Sequence, residues 1–333
     1  MLTDNFRPWG RFDWLSQKLN IREWSVLGCL GTEERFSQAI SLIKNEFVIN
    51  HSLYVDVIDK GKDFLEESRK IKAHHKQKLE GILGVQPNVS LMNLLDSPVI
   101  LKRVVNKFIE DSNGKVIIDI SCFPKRFFFP ILKILYNSDK VEELIAAYTV
   151  PDGYHEGELA ENPLPWSHIP MFHSSATLPL NIEKAIIGVG FLPFGLPSLL
   201  KDDYSKAELS LLFPFPPGPP NYQRTWDFVR EINKFYPLTD SHQILRIDVK
   251  DVSGCYNHLT NITSNGKVPS ILAPYGPKTQ SLAMALFAIK HDCDVYYTQP
   301  EQYHPNYSYG VKMCNGNPEV YLYCLKIDNT KLY

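Results

Sequence analysis

The sequence predicts an α/β protein made of two tandem Rossmann-like halves, with mainly parallel sheets flanked by helices. Short apolar segments alternate along the chain with longer segments of helical periodicity, a pattern typical of βαβ units. Three short motifs also occur twice, in the same order and at a nearly constant spacing, which indicates an internal duplication. The chain of 333 residues is longer than one core usually organises.

The repeat consists of three motifs. Residues 112–116 and residues 264–268 both read SNGKV. A Pro-Lys pair follows each copy, at positions 124–125 and 277–278. Residues 148–155 then read YTVPDGYH, and residues 297–304 read YTQPEQYH. We therefore expect a first half over 1–150, a connecting excursion over 151–183 and a second half over 184–333.

The first half begins with an apolar strand predicted at 23–29, which enters a glycine-containing turn. A helix follows, because apolar side chains recur at helical spacing at Phe36, Ala39, Ile40, Ile43 and Phe47. Further strands are predicted at 52–58, 89–94, 116–120 and 144–149, with helices at 64–83, 99–110 and around 127–136. Such short apolar strands suit a sheet covered on both faces.

The second half repeats this order. Strands are predicted at 185–189, 209–213, 244–249, 271–273 and 295–298, with helices near 222–235, 252–262 and 279–289. The connecting stretch is rich in Pro, Ser, Asn and Gly but carries Trp166, Met171 and Phe172. We expect it to be an ordered excursion, since these side chains favour burial. Near the end of the chain, VYLYCLKI predicts a last strand.

Composition and charge exclude several classes of protein. A hydrophobic fraction of 44% with 22% charged residues is typical of a folded globular chain. A net charge of -2 does not suit a general nucleic-acid binder. Apolar runs long enough for a membrane span, and an apolar signal core, are missing. The six cysteines form no C-x-x-C pair, so we expect reduced thiols and a cytoplasmic location.

The ends of the predicted strands indicate where a ligand would bind. In open parallel sheets, ligands bind at the carboxyl ends of the strands. In the first half, the strand at 116–120 contains Asp119 near its end and is followed by Ser121, Lys125 and Arg126. A helix is predicted to start here, and the backbone N–H groups at a helix start attract anions, to which basic side chains add charge. The alternative is an ordinary helix start with a capping residue and solvated basic side chains.

The corresponding place in the second half contains Gly276, Lys278 and Thr279. Glycine permits close approach of the backbone, and the lysine and threonine side chains offer donors. Arg224, near the start of the helix at 222–235, could reach an anion in the same crevice. An anionic small molecule or nucleotide is therefore the expected ligand, with the ordinary helix start again the alternative.

The third motif places Tyr154 and His155, and in the second copy Tyr303 and His304, directly after the last predicted strand of each half. An aromatic ring beside an imidazole can stack on a base or move a proton. The alternative is a structural corner, in which proline fixes the turn, the acidic residue caps it and tyrosine packs.

Several common site motifs are missing from the sequence. The loop at 188–195 contains G-x-G without the third glycine of the dinucleotide fingerprint, and no G-x-x-x-x-G-K-[ST] occurs. Neither G-x-S-x-G nor H-E-x-x-H is present. His74 and His75 have no partners at metal-ligand spacing. The sequence therefore assigns no cofactor, no metal site and no catalytic residue.

Residues 116–135, VIIDISCFPKRFFFPILKIL, resemble the equivalent segment of CRISPR-associated Rossmann-fold (CARF) sensor domains. In that family a strand ending in Asp-x-Ser/Thr runs through a short loop with a basic residue into a helix. The loop contacts a cyclic oligonucleotide at a two-fold interface. The matching positions are Asp119, Ser121, Lys125 and Arg126, whereas the second half has Ala273-Pro274 instead of Asp-x-Ser. The resemblance implies a nucleotide-like ligand and a context of bacterial antiviral defence.

Three functions follow as hypotheses. The first is a ligand-sensing or regulatory module that binds an anionic, nucleotide-like ligand in an anti-phage defence system. The second is an enzyme acting on a nucleotide or phosphorylated small molecule, with His155 or His304 as general acid/base and Asp119 or Glu156 as its partner. The third is a structural subunit of a defence complex, held by a protein partner.

Overall fold

The computed structural model describes residues 6–58, 63–175, 181–202, 204–216, 221–236 and 242–333. It is a mixed α/β structure, in which a large and mostly parallel sheet is flanked by helices. The chain divides into two compact units. The first unit consists of Met1–Asn162 and Pro300–Leu332, and the second unit consists of Pro163–Gln299 with Tyr333.

The helices follow the apolar periodicity of the sequence. In chain order they are α1 (Phe12–Leu15), α2 (Gln38–Glu46), α3 (Leu65–Leu83), α4 (Pro98–Asp111), α5 (Lys125–Asn137), α6 (Leu196–Asp202), α7 (Asn221–Phe235), α8 (Val252–Ile262) and α9 (Lys278–His291). Short 3-10 turns lie at Ser16–Lys18 and Glu34–Ser37. Across the described ranges, no helix is both long enough and apolar enough to cross a membrane.

The strands range from two to eleven residues. In chain order they are β1 (Trp9–Arg11), β2 (Glu23–Cys29), β3 (Val48–Ile58), β4 (Val89–Asn93), β5 (Lys115–Asp119), β6 (Glu143–Thr149), β7 (Gly153–Tyr154), β8 (Ala160–Pro163), β9 (Ser167–His168), β10 (Lys184–Gly188), β11 (Glu208–Phe215), β12 (Gln243–Asp248), β13 (Ser270–Pro274), β14 (Tyr296–Tyr297), β15 (Pro300–Tyr303), β16 (Ser308–Tyr309), β17 (Met313–Cys314), β18 (Asn317–Pro318), β19 (Val320–Ile327) and β20 (Thr330–Lys331).

The sheet of the first unit has the order β1-β19-β6-β5-β2-β3-β4, and β20 pairs with β19. The strands from β6 to β4 run parallel, as the alternation of strands and helices predicts. β19 runs antiparallel to β6, and β1 runs antiparallel to β19. All seven residues of β6 are buried, which is typical of a parallel strand covered on both faces.

The sheet of the second unit has the order β12-β11-β10-β13, and all its pairings are parallel. Val295 adds a single parallel bridge to Leu272 beside β13. The last strand was expected at 295–298, but β14 is only two residues long. It is short because the chain leaves the sheet after Val295 and pairs antiparallel with β9 instead.

The expected boundaries of the halves do not coincide with the compact units. The segment 163–183 belongs to the second unit, and 300–332 belongs to the first unit rather than to a half ending at 333. The physical reason is β19, which pairs along β6 from Val320↔Thr149 to Lys326↔Leu144. This pairing covers the backbone edge that β6 would otherwise expose. The excursion expected at 151–183 contains β7, β8 and β9.

Candidate functional site

The carboxyl end of β5 is held by an Asp-x-Ser turn. The Oδ1 atom of Asp119 accepts hydrogen bonds from the backbone N–H of Ser121 (2.9 Å) and from its hydroxyl (2.5 Å). The same hydroxyl accepts a hydrogen bond from the backbone N–H of Thr149 at the end of β6 (2.9 Å). Asp119 and Ser121 are both buried. These contacts give the two residues a role in fixing the loop between β5 and α5.

The first turn of α5 carries two adjacent basic residues. The helix begins at Lys125 after Pro124, which supplies no capping side chain. Lys125 is 8% exposed, and Arg126 is partly buried. Burial lowers the pKa of Arg126, because the charged guanidinium loses water. Among the described residues no carboxylate forms an ion pair with Arg126, so an anion at the start of α5 would stabilise its charged form.

In the second unit, the start of α9 is tied to the neighbouring loops. Thr279 donates its hydroxyl hydrogen to the carbonyl of Val249, directly after β12. A Cβ added at Gly276 would lie 2.3 Å from Oε1 of Gln280 and 3.0 Å from the carbonyl oxygen of Val189. Glycine at this position therefore makes room for other parts of the protein. Lys278 is the first residue of the helix, after Pro277.

Gln280 is a polar residue of this site that the sequence did not single out. It is 1% exposed, and neither atom of its carboxamide has a hydrogen-bond partner among the described residues. Its Oε1 atom faces Gly276 and also Gly188 at the end of β10. A Cβ added at Gly188 would lie 3.7 Å from this atom. A buried carboxamide without partners costs free energy. The signal in the sequence is a glutamine in the first turn of a helix whose residues 282–289 are all apolar.

Arg224 lies in the first turns of α7, as expected from its position near the predicted helix start. Its guanidinium lies 5.9 Å from the ring centroid of Phe191, in the loop that follows β10. This contact places Arg224 on the carboxyl side of the second sheet. It is the region in which the sequence predicts an anion.

The two copies of the third motif meet in the first unit. The rings of His155 and His304 stack with their centroids 3.9 Å apart and an angle of 11° between the planes. Phe64 packs edge-on against His304 at 4.9 Å. Burial, and then the neighbouring His155, lower the pKa of His304. Its Nδ1 atom accepts a hydrogen bond from the backbone N–H of Asn306 (3.1 Å).

The tyrosines of the motif share a third partner. Tyr154 and Tyr303 each pack edge-on against Tyr307, with ring centroids 6.1 Å apart in both cases. Tyr154 also pairs with Ser308 in the ladder between β7 and β16. These contacts fit the structural-corner interpretation, while the stacked imidazoles keep both histidines close together.

Glu33 and Arg35, in the loop after β2, form a buried ion pair. Nε and Nη2 of Arg35 lie 3.1 Å and 2.9 Å from Oε2 of Glu33, and Arg35 is 3% exposed. Nη1 donates to the carbonyl of Thr149 (3.2 Å), and Ser308 donates its hydroxyl hydrogen to Glu33. Burial lowers the pKa of Arg35, but the Glu33 carboxylate raises it, and the net direction is upward. The charges after β2 are thus compensated within the protein.

The sequence predicts no metal site, but the structure brings together one set of metal-ligating side chains. Within the described ranges, His168, His173 and Asp294 place one potential ligand atom each within 4.8 Å of the others. All three residues belong to the second unit. The first two lie in the expected connecting excursion, and Asp294 lies shortly before β14. Sequence spacing did not reveal the set, because Asp294 follows His173 by 121 residues.

Comparisons with known proteins do not identify a family. No protein-family model matches the chain, and no curated protein matches it. A match among solved structures is described as "OtsA apo structure". It is 10% identical, covers 81% of this chain and 91% of that chain, and has a TM-score of 0.24. A similarity at this level carries no argument about fold or function.

Proposed function

We propose that the protein is a ligand-sensing or regulatory module that holds an anionic, nucleotide-like ligand at the carboxyl edge of its parallel sheets. The observation that carries the proposal is one arrangement found in each unit. In the first unit, β5 lies beside β2 and leads through a loop to α5, which begins at Lys125 of a Pro-Lys pair. In the second unit, β13 lies beside β10 and leads to α9, which begins at Lys278 of the other Pro-Lys pair. The carboxyl edge of an open parallel sheet is where ligands bind.

We infer that a duplication produced two Rossmann-like halves, and this inference is part of the proposal. The order β6-β5-β2-β3-β4 corresponds to the order Val295-β13-β10-β11-β12. Both SNGKV copies form the turn before the equivalent strand, with φ of 78° at Gly114 and 77° at Gly266. The helices that follow, α5 and α9, are buried on nearly all sides. We infer that both units retain one ancestral ligand-binding edge.

The chemistry at the start of α5 suits a phosphate group. The backbone N–H group of Arg126 lies in the first turn of α5, where N–H groups have no carbonyl one turn earlier in the helix. Such groups, together with the helix dipole, favour an anion. The partly buried Arg126 adds a guanidinium that has lost water. A phosphate oxygen would supply the charge-assisted contact that Arg126 lacks within the described residues.

The chemistry at the start of α9, considered within the second unit alone, suits a nucleobase. The carboxamide of Gln280 has two donors and an acceptor, and all lack partners among the described residues. A nucleobase edge presents donors and acceptors side by side, so it can satisfy both atoms of the amide. Arg224, on the carboxyl side of the same sheet, adds positive charge in this region.

The biological setting is part of the proposal. The resemblance of residues 116–135 to CARF sensor domains favours a role in bacterial antiviral defence, in which a protein partner would respond to the ligand. None of the six cysteines forms a disulfide, which is in keeping with the reducing, cytoplasmic environment that we propose. Neither a membrane nor nucleic acid in general is part of this proposal.

The test is a binding titration in which calorimetry measures the affinity. The probes are nucleoside mono-, di- and triphosphates and cyclic oligoadenylates. The variants are Arg126→Ala and Lys278→Ala, with the exposed residues Arg103→Ala and Lys267→Ala as controls of equal charge. A charge-assisted hydrogen bond contributes about 1.5–3 kcal/mol, so each site variant should weaken binding roughly 10- to 100-fold. Equal affinities in site variants and controls would contradict the assignment.

A further inference from the structure

Three side chains of the second unit converge on one point. The Nδ1 atom of His173 lies 3.1 Å from Nε2 of His168 and 3.0 Å from Oδ1 of Asp294. Nε2 of His168 lies 3.2 Å from the same Oδ1 atom. The three atoms therefore form a nearly equilateral triangle of two imidazole nitrogens and one carboxylate oxygen.

A tight turn brings the two histidines together. Phe172 donates its backbone N–H to the carbonyl of Ile169 (2.9 Å), with Pro170 and Met171 between them. Met171 has a φ of 69°, and a positive φ after proline is the geometry of a type II turn, which usually has glycine at that position. The strain of placing methionine there is characteristic of segments whose position matters for a site.

Backbone hydrogen bonds hold this turn against the chain next to Asp294. Ile169 donates to the carbonyl of Val295 (2.8 Å), and Val295 donates to the carbonyl of Phe172 (3.0 Å). Ser174 donates its backbone N–H to Oδ1 of Asp294 (2.7 Å). The ligand atoms thus sit on a backbone that is fixed on both sides of the turn, so they are arranged before any ion binds.

The ring of His168 is also held in place. It packs against Tyr296, with ring centroids 4.2 Å apart, and the two residues are opposite each other in the ladder between β9 and β14. The hydroxyl of Tyr296 in turn accepts a hydrogen bond from the hydroxyl of Tyr204 (2.9 Å). Packing of this kind orients the nitrogen that faces Asp294.

Hydrogen bonding alone does not satisfy this triangle. A neutral imidazole carries a proton on only one nitrogen, and an ionised carboxylate only accepts. If both facing nitrogens of His168 and His173 carry protons, these N–H groups oppose each other. If one facing nitrogen is bare, its lone pair opposes that of Asp294. A cation at the centre makes all three contacts favourable, because all three atoms then act as ligands.

The dimensions fit a small divalent transition-metal ion. Zinc binds histidine nitrogen and carboxylate oxygen at about 2.0–2.2 Å, so tetrahedral ligand atoms lie about 3.3 Å from one another. An ion at that distance from the three observed atoms would lie about 1 Å out of their plane. Three protein ligands leave further coordination positions open. The His173 side chain is 72% exposed, so water or an anionic group can reach them.

We propose that His168, His173 and Asp294 bind a divalent transition-metal ion of the zinc class, with at least one coordination position open to solvent. The ligands are nitrogen and oxygen atoms, so the site does not favour soft metal ions, which prefer thiolate ligands. The open position is the kind found at zinc sites that bind water or substrate rather than at closed structural sites.

The test uses the full chain, free of any polyhistidine tag and stripped of metal. Zinc chloride is titrated by calorimetry, and cobalt(II) is added as a spectroscopic probe of the ligand set. His173→Ala removes an exposed ligand, and Asp294→Asn removes the charge but keeps an acceptor for Ser174. The exposed His258→Ala is the matched control, and circular dichroism checks that each variant is folded.

We expect wild type and the His258 variant to bind one zinc ion per chain. Loss of an outer-shell partner alone weakens metal binding about 10- to 100-fold, so removing a ligand should weaken it about 100-fold or more. The visible cobalt bands should disappear in His173→Ala. Absence of saturable zinc binding in wild type would overturn the proposal. Retention of wild-type affinity in a folded His173→Ala would overturn it as well.

Discussion

Glu33 and Arg35 form an ion pair whose further hydrogen-bond partners come from two separate segments of the first unit. Arg35 reaches the end of β6 at Thr149, and Glu33 accepts from Ser308 next to the second copy of the third motif. Thr32 also donates to the carbonyl of Pro305 (2.7 Å). The pair therefore ties the carboxyl end of β2 to residues far along the chain, which is a structural role.

We predict that Glu33→Gln lowers the free energy of unfolding by about 3–5 kcal/mol, because it leaves the buried Arg35 charge without a carboxylate. Urea unfolding monitored by circular dichroism measures this change. The control is Glu66→Gln, which breaks an exposed ion pair with Arg69 at 3.0 Å. Exposed pairs contribute about 0–1 kcal/mol. Similar losses in the two variants would show that the Glu33 pair is not effectively buried.

At the scale of elements, the loops after β10 and β13 press against each other in the second unit. A Cβ added at Gly190 would lie 2.1 Å from the carbonyl oxygen of Tyr275, which is backbone and cannot move aside cheaply. Gly276 approaches the backbone of Val189 in the same way. The glycines of the G-x-G sequence therefore allow the loops after β10 and β13 to approach each other closely.

Gly190→Ala should lower the free energy of unfolding by about 1–3 kcal/mol or more, the usual cost of overpacking. Gly81→Ala is the matched control, since a Cβ added at Gly81, near the C-terminal end of α3, meets nothing within 4 Å. Alanine is favoured over glycine in a helix by about 0.5–1 kcal/mol, so the control should be stabilised. Chemical unfolding of both variants gives the comparison. An unchanged stability of Gly190→Ala would mean that the two loops separate easily.

Apolar periodicity was enough to locate most of the regular elements. β2 begins and ends at the predicted residues. β5 differs from the prediction by one residue at both ends, and β6 begins one residue earlier than predicted. These strands were predictable because their burial depends on local apolar runs. α6 was missed, since LPSLLKD lacks a clear helical stripe over its seven residues.

Contacts between distant segments could not be predicted in this way. The segment VYLYCLKI was expected to be a strand, but nothing in it indicates an antiparallel pairing with β6. The Glu33–Ser308 contact and the site formed by His168, His173 and Asp294 likewise join residues that are far apart in sequence. Fixed spacing, the basis of most site motifs, carries no information about such pairs.

Stability should depend on pH through histidines that are buried or partly buried. Burial is the largest cause that lowers the pKa of four of them, His75, His242, His291 and His304. The unfolded chain therefore takes up protons near pH 6.5, where the folded chain does not. Their contribution to stability is present above pH 6.5 and is lost as pH falls through the lowered folded-state values.

We predict that the urea midpoint of the wild-type chain decreases from pH 7.5 to pH 5.5. The buried carboxyl of Glu143 has a pKa raised by burial, so its effect has the opposite sign and belongs to a lower pH range. His75→Gln should reduce the pH dependence, whereas the exposed His258→Gln should not. A midpoint that is constant or rises on acidification would contradict the assignment of neutral, buried histidines.

The most direct test of the central claim, binding of an anionic nucleotide-like ligand, is native mass spectrometry of the freshly purified full chain. It is run before and after addition of the nucleotide and cyclic oligoadenylate panel, and any molecule released on denaturation is weighed. We predict a nucleotide-like adduct at fixed stoichiometry, which Arg126→Ala or Lys278→Ala weakens. A chain that stays bare with every probe, at concentrations well above those of cellular nucleotides, would contradict it.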